Sequence, residues 1–73
     1  MHRYKAKGNI VASRILKPNQ LGDLITDFDE LIRTGSWWTI ELEKSEFVFL
    51  QKSDGTSIRA IRKRSKEMLE LVR

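Results

Sequence analysis

At 73 residues the chain is one domain at most, and it has no room for a cofactor-binding unit beside a substrate-binding one, which excludes most enzyme architectures. Its 40% apolar content suits a globular protein, but a domain this small hides only about 60% of the surface of its unfolded chain, so a partner or a second copy adds to its stability. The net charge of +4 is unevenly distributed: residues 1–17 hold five Lys/Arg and no acid, residues 18–50 two against seven acids, and residues 51–73 seven against three. Such segregation points to a molecule with a basic and an acidic side rather than a mixed solubilising surface.

Arg3-Tyr4-Lys5-Ala6-Lys7 alternates charged and uncharged side chains, and Gly8-Asn9 offers a two-residue turn, so the first sixteen residues predict a hairpin with residues 10–16 as the return strand. A helix capped by Asn9 is the competing reading, because Ile10, Val11 and Ile15 also fit a helical stripe. Leu21, Leu24, Ile25, Phe28, Leu31 and Ile32 recur at three- and four-residue spacing, which predicts an amphipathic helix over residues 21–32. Pro18 stands near its start, Gly35 where a left-handed cap belongs, and Asp23, Asp27 and Glu30 on its far face.

Residues 37–43 and 47–52 are rich in aromatic and branched side chains and predict antiparallel strands. Ser53-Asp54-Gly55 supplies a turn and residues 56–61 a third strand. Met68, Leu69 and Val72 predict a short closing helix over residues 65–72, although one long helix from Thr56 fits the same spacing. The expected fold is α+β: a hairpin, a helix, a three-stranded meander and a C-terminal helix in a single domain.

No constellation for catalysis emerges. The one histidine, His2, stands at a terminus prone to fray, and Asp27, Asp29 and Glu30 lack the glycine and distal glutamate of a calcium loop. The four glycines never form a phosphate-cradling loop. A noncatalytic protein without cofactor or metal is expected. The absence of cysteine removes disulfide and zinc-thiolate chemistry and favours a reducing, cytoplasmic setting. No apolar run reaches the roughly 20 residues of a membrane span, and the N-terminus lacks the apolar core of a signal peptide.

The strongest functional signal is basic. Arg59, Arg62, Lys63, Arg64 and Lys66 crowd eight residues, and strand geometry places Arg3, Lys5 and Lys7 on one face as a second stripe. Arginine forks onto phosphate oxygens and lysine adds point charge, but such runs also serve as solubilising strand edges. In Trp37-Trp38, adjacent strand residues face opposite ways. Trp38 aligns with Ile40 and Leu42 toward a core, while Trp37 aligns with Thr39, Glu41 and Glu43 as a contact aromatic. Phe47 and Phe49 oppose Val48 and Leu50, so that strand is covered on both sides or lies in a homodimer interface.

The order helix, three antiparallel strands, helix over residues 19–73 resembles the double-stranded-RNA-binding domain and its small relatives, including compact toxin ribonucleases. The resemblance is one of element order, without a sequence motif. The toxin relatives use a strand histidine that this chain lacks, so it implies no nuclease activity. The leading expectation is a nucleic-acid-binding or regulatory module whose basic stripes contact phosphates of DNA or RNA. The alternative is a protein-binding regulator that anchors its partner through exposed aromatics or the acidic helix face.

Overall fold

Val48, Phe49 and Leu50 are consecutive and all fully shielded from solvent. Successive strand residues point to opposite faces, so a strand buried at three positions in a row must be covered on both. The whole fold is built around that strand. The computed structural model describes residues 2–17, 21–52, 55 and 57–72. Its strands are β1 (Arg3–Ala6), β2 (Ile10–Ile15), β3 (Glu30–Ile32), β4 (Trp37–Glu43), β5 (Phe47–Lys52), β6 (Ile58–Arg62) and β7 (Leu69–Val72), with a 3-10 helix at Lys63–Met68. They form one antiparallel sheet in the order β3-β2-β6-β5-β4-β1-β7, curled into a half-barrel with β5 at its centre.

The inner face gathers Ile10, Ala12, Ile32, Trp38, Val48, Leu50, Ile61 and Leu69 into one buried cluster. The outer face buries Ile15, Phe49 and Ala60 in a second, against which Leu21, Ile25, Phe47 and Ile58 pack. Residues 21–29 thus lie across the outer side of the sheet as a cover that is irregular beyond Gly22.

With 54% strand against 12% helical residues, the fold is all-β in character and the expected α+β class is incorrect. Residues 21–32 form no α-helix: Leu21 and Gly22 are in 3-10 conformation, residues 23–29 are irregular, and residues 30–32 are the short edge strand β3. The segment carries Gly22, Thr26 and three aspartates, all poor helix formers, and a helix that short is marginal without tertiary support. The spacing of Leu21, Ile25 and Phe28 still selects side chains that meet the outer face, since all three turn toward Phe47 or its cluster.

The expected N-terminal hairpin is absent too. β1 pairs with β4 and β7, whereas β2 pairs with β3 and β6, so residues 7–9 are a corner carrying the chain between two parts of the curled sheet. A tight turn opening on Gly8 needs a positive φ there, and the described glycines with positive φ are Gly35 and Gly55. The corner is fixed by Asn9, whose Oδ1 accepts hydrogen bonds from the Thr34 backbone N–H at 2.9 Å and its hydroxyl at 3.1 Å.

The closing helix over residues 65–72 is replaced by the 3-10 helix and β7, whose pairing with β1 satisfies an otherwise open strand edge. With both helices gone, the element order behind the resemblance to double-stranded-RNA-binding domains is gone as well. The expected meander does occur, β4 with β5 and β5 with β6, and Gly55 takes the left-handed conformation at φ 77°. Pro18, expected near the helix start, Ser53 and Asp54, expected in the turn, and Thr56, expected to open the third strand, lie outside the described residues.

One irregularity redirects side chains. The β4–β5 register shifts between Ile40 and Leu42, so Leu42 stands opposite Phe49 on the outer face and Glu43 opposite Val48 on the inner one. A one-residue bulge exchanges the faces of everything beyond it. Leu42 therefore leaves the core side expected from its parity with Trp38 and is 39% exposed. Among the described residues no helix is long and apolar enough to cross a membrane.

Candidate nucleic-acid interface

Parity places the two tryptophans as expected: Trp38 is buried on the inner face and Trp37 half-exposed on the outer one. Lys5 stands directly opposite Trp37 in the β1–β4 ladder. The Arg3 guanidinium lies 5.3 Å from the centre of the Trp37 ring and the Lys5 ammonium 5.9 Å from it, both within cation–π range. No C-terminal helix covers this ring.

A second aromatic-cation group forms near the end of β6. Phe28, from the cover segment, stacks on Phe47 of β5 at 6.1 Å, and the Arg62 guanidinium sits 3.8 Å from the centre of the Phe28 ring. These side chains line an open cleft of about 570 Å³ together with Ile25, Lys63 and Arg64. Arg64 is exposed, and Glu46 is the one acid on the rim.

The basic run over residues 59–66 is thus divided. Arg62 and Arg64 meet at the cleft, whereas Arg59 faces inward opposite Leu50 and Arg14. Lys63 and Lys66 both bind the Glu43 carboxylate, with Nζ to Oε1 distances of 2.9 and 2.5 Å. Lys7 is exposed just past β1, and its backbone N–H donates to the Met68 carbonyl at 2.8 Å, which joins the N-terminal stripe to the end of the 3-10 helix. The acidic helix face does not exist. Among the described residues no group of three or more Asp, Glu or His side chains is arranged to hold a metal ion.

Sequence reasoning missed Phe28 because it looked like core, and it took Phe47 as covered strand or as an anchor for a protein partner rather than as part of a basic cleft. It missed Glu43 as a counter-ion because a regular strand would have turned it to the other face. Hydrogen bonds from Lys66 and then Lys63 hold the Glu43 carboxyl below its ordinary value, and the bond to Glu43 raises Lys66 above the ordinary lysine value. A depressed carboxylate stabilises the fold above its unfolded-state pKa, and that contribution disappears as pH falls through the lower folded value. The raised Lys66 contributes fully below the unfolded lysine pKa and loses its contribution as pH rises through the folded value. Glu43→Gln is therefore expected to lower the melting temperature slightly at neutral pH, with the gap closing on acidification and narrowing in high salt, as befits a surface pair. Thermal melts of both proteins across pH check this; a gap that persists in acid contradicts the assignment.

Compared with models of protein families, with curated proteins and with solved structures, the chain matches none of them.

Proposed function

We propose that the protein is a noncatalytic nucleic-acid-binding module that meets its ligand along the outer face, through Arg3, Lys5 and Lys7 beside Trp37 and through Arg62 and Arg64 beside Phe28 and Phe47. The observation that carries the reading is the open cleft in which Arg62 lies over Phe28 while Arg64 and Lys63 stand at its rim. Sequence-tolerant binding of single strands combines aromatic platforms for bases with cations that track the backbone, and both components occur here twice on one face. Lys63 and Lys66, already bound to Glu43, contribute less than Arg62 and Arg64, which have no carboxylate partner among the described residues.

Arg62 also packs against Phe28, so reversing its charge tests folding as well as binding. A cleaner variant combines Arg3→Gln with Arg64→Gln, since both side chains are exposed. Binding of mixed-sequence single strands is expected to weaken across all sequences, with the slope of log affinity against log salt flattened by about 1.4, at roughly 0.7 per lost phosphate contact. Circular dichroism serves as the folding control. No binding by the unmodified protein even near 50 mM salt, a regime that favours phosphate contacts, defeats the reading.

A protein partner is the second reading, favoured by Val11 and Leu31. These stand opposite each other across the β2–β3 edge and are each 49% exposed, so together they offer an apolar contact at an open strand. Binding through that pair is expected to be nearly insensitive to salt.

A further inference from the structure

We propose that the mouth of the curled sheet beside Trp38 is a site for a single phosphoryl group, held by Arg33, Lys52 and Arg59. The site is separate from the outer-face interface and does not depend on it. A cleft of about 190 Å³ opens there, with Trp38, Ile32 and Ser36 as its wall and the three cations around it. No acid lines it, and none of these cations has a carboxylate within ion-pair distance among the described residues.

The ladder registers bring the charges together. Trp38 pairs with Lys52 across β4–β5, and Arg59 pairs with Leu50, which leaves Lys52 diagonal to Arg59 on the inner face. On the other side of β6, Arg59 stands directly opposite Arg14. Like charges directly opposite in a sheet destabilise it. Glu30, the acid nearest by register, pairs with Ala12 and so lies diagonal to Arg14 without forming an ion pair. Arg14 itself lies outside the cleft, but an anion held between Arg59 and Lys52 relieves part of the repulsion along this row.

The wall is held in place before any ligand arrives. Trp38 Nε1–H donates to Ser36 Oγ at 2.9 Å, and the Ser36 hydroxyl donates to the Arg33 carbonyl at 2.6 Å. Gly35, at φ 89°, allows the tight reversal and donates its N–H to the Ala6 carbonyl at 2.8 Å. Arg59 Nη1 donates to the Ile58 carbonyl at 3.2 Å, which orients the guanidinium while its other N–H groups stay available. Whole small molecules take pockets of about 300–1,000 Å³. This cleft accommodates one group, with the rest of its molecule outside. Three separate cations, two of them arginine forks, suit a phosphate monoester dianion better than a carboxylate.

The test follows the Trp38 indole N–H by nuclear magnetic resonance, assigned with Trp37→Phe, while inorganic phosphate replaces chloride at constant ionic strength. The expected result is a saturable shift of that resonance, with affinity weakened about tenfold in Lys52→Gln and in Arg33→Gln. Both side chains are exposed, so these variants keep the test valid if Arg59→Gln fails to fold. No saturable shift, an equal shift with chloride, or a shift unchanged in Lys52→Gln overturns the proposal. Arg3→Gln with Arg64→Gln is expected to leave the shift intact, which separates this site from the outer face. Competition by a 5′-phosphorylated oligonucleotide but not its 5′-hydroxyl counterpart supports the site and identifies the source as a nucleic-acid end. Competition by neither supports it with a small phosphomonoester as the source. Equal competition by both overturns it, because internal phosphodiesters are then the ligand.

Discussion

Phe49→Ala is expected to destabilise the protein by about 3–5 kcal/mol, the range for removing a fully buried phenylalanine. Phe49 is completely shielded, and it reaches that state only because Leu21 and Ile25 come down over the outer face beside Ile15 and Ala60. A chain of 73 residues at about 0.05–0.15 kcal/mol per residue has roughly 4–11 kcal/mol of total stability. The substitution therefore removes much of it, and the low end of the range leaves the variant largely unfolded. Urea titration of both proteins measures the loss, with the slope unchanged if both remain two-state. A loss below about 1 kcal/mol would mean that Phe49 faces solvent on an uncovered sheet and that residues 21–29 do not lie where the structure has them.

What the sequence disclosed followed strictly local rules. Alternation and β-branched or aromatic content located β4 and β5, the adjacency of the two tryptophans separated buried Trp38 from half-exposed Trp37, and Gly55 marked its turn through its need for positive φ. The three consecutive apolar residues of β5 announced a strand covered on both faces, and β5 is the central strand. The failures came where competing tertiary partners decided. Residues 7–9 satisfy the chemistry of a hairpin turn, yet the edges of β1 are taken by β4 and β7, whose apolar faces join the inner cluster. The bulge in β4 carries no glycine and leaves no trace in residue type, although it moves Leu42 out of the inner cluster and delivers Glu43 to Lys63 and Lys66. The candidate site was legible as charge and hidden as geometry: the basic residues could be named, but which shared a face depended on registers set by other strands.

Ile32→Ala and Leu24→Ala discriminate most sharply between a helix and a cover segment with an edge strand. On an amphipathic helix over residues 21–32 both side chains belong to one buried stripe, and each truncation costs a similar amount. In the structure Ile32 is 2% exposed on the inner face, opposite Ile10, while Leu24 is 76% exposed. The expected losses are about 2–5 kcal/mol for Ile32→Ala and within roughly 0.5 kcal/mol for Leu24→Ala. Leu31→Ala belongs with the smaller loss, because Leu31 is half-exposed beside Val11 and removing it uncovers no core. Equal losses at residues 24 and 32 would restore the helix. A large loss at Ile32 alone ties β3 to the inner cluster, and with it the backbone that leads directly into Arg33 at the mouth of the sheet.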